Sequence, residues 1–169
     1  MDTPTAPPHR AEMSDVLDNV QAIIEIAVQE FPEMYPHWTE AQLDEPLLVY
    51  DQDGQPAYWK FLLHHGGYII GAVDADVETG EIVRFGTFGR PLQHFPDPPT
   101  AEEALERAQD FLSRYADATI DPPFFCGRPA EVWLIRVRRY DEVIARVWVW
   151  GDEVWEGEFG VLRSTPTPP

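Results

Sequence analysis

One apolar spacing occurs twice in this chain, and it limits the fold more than any other feature. Val16, Leu17, Val20, Ile23, Ile24, Ala27, Val28 and Phe31 fall at i, i+1, i+4, i+7 and i+8, the stripe of a helix that buries one face. Ser14 suits the N-cap, Asp15 favours the positive end of the helix dipole, and Pro32 stops the helix. Ala104, Leu105, Ala108, Phe111, Leu112 and Tyr115 repeat the pattern, opened by Thr100 and Glu103 in a T-x-x-E capping box.

Strand patterns follow each helix. After the first, strands are predicted at residues 47–51, 57–64, 68–75 and 81–87, separated by the turn signals Asp51-Gln52-Asp53-Gly54 and Gly66-Gly67 and by an acidic turn ending at Gly80. After the second, a loop over 121–129 precedes strands at 131–139, 143–150 and 153–159. The expectation is an α+β protein of two tandem helix-plus-antiparallel-meander units. The first spans residues 14–90 and the second 100–163, joined by a Pro-rich connector at 91–99 and flanked by disordered tails at 1–13 and 164–169.

Residues 68–86, YIIGAVDADVETGEIVRFG, form a strand, an acidic turn and a strand. The segment resembles the "VDAETGEV" hairpin that ends PepSY-type domains, and the resemblance extends over residues 47–86. It implies a cystatin-like arrangement, with a curved sheet wrapped on a helix. It also implies a unit that covers or binds other molecules and has no catalytic residues of its own.

Charge bears on partners. The formal net charge is −18, from 30 acidic residues against 12 basic ones, of which Lys60 is the single lysine. Phosphate backbones and anionic membranes are repelled, so neither nucleic acid nor a membrane is an expected partner. No apolar run approaches the ~20 residues of a membrane-spanning helix. The N-terminus has neither the basic start nor the apolar core of a signal peptide, so the expected location is cytoplasmic. Cys126 is the only cysteine, which leaves no internal disulfide and no cysteine metal cage.

Several groupings invite chemistry and do not satisfy its spacing. An EF-hand loop needs Gly at position six and Glu at twelve; counted from Asp74 those are Thr79 and Phe85, and from Asp51 they are Pro56 and Leu62. These aspartates are turn residues. His64 and His65 adjoin on a strand and so point to opposite faces. The other histidines, His9, His37 and His94, lie in predicted loops or tails, and no metal or other cofactor is expected. Cys126 has no histidine after it in sequence and sits in an apolar segment, which describes a buried thiol rather than a nucleophile.

The remaining cluster is Trp133, Arg136, Arg146, Trp148 and Trp150, on neighbouring strands of the second meander. Trp and Arg dominate binding hot spots, and the same residues equally suit a core-facing Trp row with Arg–Glu pairs across strands. With Asp141-Glu142 as the turn, Trp133 pairs with Trp150; shifted by one residue, Arg136 stands opposite Arg146. The expected function is a non-enzymatic protein- or peptide-binding module, inhibitor-like or immunity-type, for which the charge favours a basic partner. The alternative is a small-ligand carrier or lyase-type enzyme with a pocket between helix and curved sheet. A homodimer using its own patch is the third reading.

Overall fold

A computed structural model describes residues 10–128 and 130–157, apart from the side chain of Arg128. The expected 164–169 tail and the end of the last expected strand lie outside the described residues. In chain order the elements are helix α1 (Met13–Glu30), strands β1 (Gln42–Leu43), β2 (Leu47–Asp51), β3 (Pro56–His65), β4 (Tyr68–Asp76) and β5 (Ile82–Leu92), and helices α2 (Ala101–Arg107) and α3 (Gln109–Leu112). A short 3-10 turn (Ser113–Tyr115) leads to β6 (Thr119–Ile120), β7 (Phe124–Arg128), β8 (Val132–Arg139), β9 (Glu142–Trp150) and β10 (Glu153–Glu156).

The expectation of two helix-plus-meander units is overturned. The structure is 44% strand and 22% helix, and its ten strands belong to a mixed sheet in the order β10-β9-β8-β7-β2-β3-β4-β5, with β1 beside β3 and β6 beside β8. The physical reason is the pairing of β2 with β7. It is parallel, with Tyr50 opposite Cys126 and Asp51 opposite Arg128, and a parallel pair cannot arise from hairpins alone. The second helix is also not one helix, because it breaks at Ala108 into α2, α3 and the 3-10 turn.

The chain divides into two compact units, formed by the described residues of 1–48 with 56–93 and of 49–55 with 94–169. In the first, α1 packs through Val16, Val20 and Ala27, all buried. Its core adds Trp38, Phe61, Leu63, Val73 and Ala75, and each large apolar side chain so buried contributes about 1.5–3 kcal/mol. Gly66 and Gly67, at φ 61° and 83°, make the β3–β4 turn, whose left-handed positions suit glycine. Asp76 closes the β4–β5 turn: its Oδ1 accepts from the backbone N–H of Glu78 at 2.8 Å and of Thr79 at 3.0 Å. In the second unit Asp51 does the same for Asp53 and Gln55, each at 2.9 Å. Both carboxylates therefore cap their own turns.

In the second unit the Thr100 hydroxyl accepts from Glu103 N–H at 3.2 Å, the cap that the T-x-x-E pattern specifies. Cys126, Val132, Leu134 and Trp148 form a buried cluster joined by Phe124, Trp150 and Trp155. Among the described residues, no helix is long and apolar enough to cross a membrane.

Candidate functional site

A concavity lies in the first unit, between α1 and the short strand β1. With about 100° between successive helical residues, Val20 and Ala27 lie within about 40° of Val16 around α1, while Ile24 and Val28 lie about 80–120° away. The sheet covers the first set. The second set, half-buried, forms one wall of a groove of about 540 Å³, opposite Leu43 of β1 and Leu63 of β3. Trp38 and Ala41 complete its apolar lining, and Gln21, Glu25 and Gln29 stand along its helical rim. Glu25 is the sole ionisable residue among those lining it.

Trp38 anchors the turn that carries this wall. It is 1% exposed, meets Tyr35 edge-on with ring centroids 4.7 Å apart, and lies 6.4 Å from the Phe85 ring. Its indole Nε1–H is buried without a hydrogen-bond partner among the described residues. Beyond the groove, α1 and the turn after it leave Ile26, Phe31 and Met34 exposed by 52%, 55% and 63%.

A second feature is a buried charge network across β3, β4 and β5. Lys60 Nζ lies 2.8 Å from Asp74 Oδ1, and Arg84 Nε donates to Asp74 Oδ2 at 2.7 Å. Arg84 Nη2 also donates to the Tyr58 hydroxyl at 2.9 Å. Lys60 and Asp74 are almost wholly buried, whereas the Arg84 side chain is 55% exposed. Two cations around one carboxylate hold the strands in register, since a buried charge is tolerated only when paired and hydrogen-bonded.

The Trp and Arg residues singled out from sequence are placed as follows. Arg136 stands opposite Arg146 and Leu134 opposite Trp148, whereas Trp133 faces Val149; Trp133 and Trp148 therefore lie on opposite faces of the hairpin. Trp148 is fully buried, with its Nε1–H on Gly157 O at 2.7 Å, and Trp133 is 9% exposed, with its Nε1–H on Pro98 O at 2.6 Å. Trp150 is half-buried against Phe95, centroids 5.9 Å apart. Arg136 donates to Asp53 O at 2.9 Å, stacks 5.0 Å from the Phe124 centroid and faces the Asp121 carboxylate at 3.5 Å. Arg146 is half-buried. The hairpin turn is Tyr140-Asp141, with Tyr140 at φ 58°, and an irregularity between Val137 and Arg138 shifts the pairing beyond it by one residue, which places Arg136 opposite Arg146. Cys126 is fully buried.

Of the groove residues, Ile24 and Val28 were legible as apolar helix positions, and the width of the stripe was the signal that one side stays uncovered. Trp38, Ala41 and Leu43 carry no periodic signal of their own. No family model matches this chain, and no characterised protein or solved structure is significantly similar to it.

Proposed function

We propose that this protein is a non-enzymatic binding module for a protein or peptide segment, and that the groove between α1 and β1 is its binding surface. The observation that carries this reading is an apolar groove whose sole ionisable lining residue is Glu25, on a chain of net charge −18. Acid–base chemistry needs a positioned titratable group matched to a second one, and the groove offers no such pair. An apolar trough with one rim carboxylate, Glu25, on an acidic chain suits a segment with apolar anchors flanked by Lys or Arg. The PepSY-type resemblance of residues 47–86 points the same way by analogy, since a fold alone does not fix a function. The size of the groove favours a second reading, a carrier of a small apolar ligand, because about 540 Å³ falls within the ~300–1,000 Å³ of ligand pockets.

The test is a selection of random peptides on the untagged chain, followed by calorimetry of the enriched sequences. Apolar–basic peptides should be enriched, and Val28→Asp should weaken them by at least ~2 kcal/mol, the scale of a hot spot. Glu25→Lys should weaken them less and flatten their salt dependence. Peptides that bind wild type and Val28→Asp alike would sink the proposal. Failure to enrich any peptide, with an apolar dye displaced only from the wild-type groove, would favour the carrier.

A further inference from the structure

His37, Glu40 and His65 converge although sequence separates them. His37 and Glu40 lie in the turn after α1, three residues apart, with Glu40 N–H donating to His37 O at 3.2 Å. His37 adopts φ 68°, a left-handed conformation that few non-glycine residues take. His65 ends β3, immediately before the Gly66-Gly67 turn. Its ring stacks on that of His37, centroids 4.4 Å apart and planes within 10°. His37 Nδ1 and His65 Nε2 both face Glu40 Oε2, at 3.4 and 3.9 Å. The three candidate donor atoms all lie within 4.8 Å of one another.

We propose that His37, Glu40 and His65 bind a divalent transition-metal ion of the zinc type. With metal–ligand bonds of about 2.0–2.1 Å, neighbouring donors of a tetrahedral zinc site lie about 3.3 Å apart. The two nitrogen–oxygen separations approach that value, and the stacked rings must turn out of their parallel arrangement for both to aim a nitrogen at one ion. Two imidazoles and one carboxylate suit zinc, nickel or copper and disfavour calcium and magnesium, which take oxygen donors. Three protein donors leave one coordination position for water or for a donor from another molecule. The site is reachable: the side chains of His37, Glu40 and His65 are 58%, 67% and 33% exposed. Glu40 and His65 also line a concavity of about 520 Å³ that His64 and Asp44 share. The grouping rests on its own geometry, independent of the groove. His65 finds its partners in another element, the turn after α1.

The test uses untagged, chelator-washed protein and zinc chloride alone, followed by calorimetry and by melting with and without zinc. One zinc per chain should bind, the melting temperature should rise, and His37→Ala, Glu40→Ala and His65→Ala should each weaken binding at least tenfold. Zinc held by the acidic surface in general would survive in the triple variant, so that variant sets the baseline. His94→Ala should behave as wild type, and millimolar calcium or magnesium should not displace the zinc. The proposal is overturned if wild type binds no more zinc than the triple variant, or if the single variants bind it unchanged.

Discussion

The edge of the Trp38 indole occupies the space where a side chain at position 71 would begin. A Cβ on Gly71 would lie 2.8 Å from Trp38 Cζ2 and 2.7 Å from Gly86 O. Glycine in a strand interior often marks such a close approach. Gly71→Ala should therefore cost about 1–3 kcal/mol through overpacking, read by urea denaturation. Because Trp38 lines the groove, the same variant should shift its fluorescence. An unchanged midpoint would mean that Trp38 does not sit on β4 in this way.

Removing Asp74 from the Lys60–Asp74–Arg84 network takes away the carboxylate that faces the buried Lys60 ammonium. Asp74→Ala should destabilise by about 3–5 kcal/mol, the usual consequence of breaking a buried pair. Lys60→Met combined with Asp74→Leu should cost less than the sum of the single variants. Denaturant midpoints of the three variants check this.

Trp148 has no exposed surface, so Trp148→Ala should lose about 3–5 kcal/mol. Trp150, half-buried, should lose less on the same substitution. Equal and small losses would contradict the placement of β9.

Tyr115 donates to a carboxylate oxygen of Glu156, and that hydrogen bond, then burial and the Glu156 charge, raise its pKa above the ordinary 10.0, with Arg114 opposing. The raised value means that the neutral phenol is favoured by folding. Its stabilising contribution is fully present below pH 10 and is lost as pH rises through the folded-state value. In an ultraviolet titration the phenol that Tyr115→Phe removes should ionise above the ordinary 10.0, and Glu156→Gln should remove the delay.

Local signals were legible where a residue's own neighbours decide its structure. The stripe from Val16 to Phe31 gave α1, the Gly66-Gly67 pair gave a hairpin, and Thr100 with Glu103 gave a cap. Pairing between distant segments was not legible. Phe124-Phe125-Cys126 has no alternation to separate a short buried strand from an apolar loop, so β7 was missed; the strand at 47–51 was legible as β2, but its parallel pairing with β7, and with it the sheet, was not. The β8–β9 register escaped for a different reason. It depends on Tyr140 taking a left-handed turn position that tyrosine rarely adopts, where Asp141-Glu142 offered a more ordinary turn, and on the register shift between Val137 and Arg138. Likewise the site residues Trp133 and Trp148 share a hairpin in sequence but alternate across it in space. Trp38 was silent because its position is set by the turn after α1, which carries no period.

The central claim is that the groove between α1 and β1 receives a partner segment. Its most direct test is an amide-resolved NMR titration of the labelled chain with the tightest selected peptide. Shifts should concentrate at Ile24, Glu25, Val28, Thr39, Ala41 and Leu43, while Trp133, Arg136, Arg146 and Trp148 remain still. Shifts centred on β8 and β9, with the groove unmoved, would contradict the account.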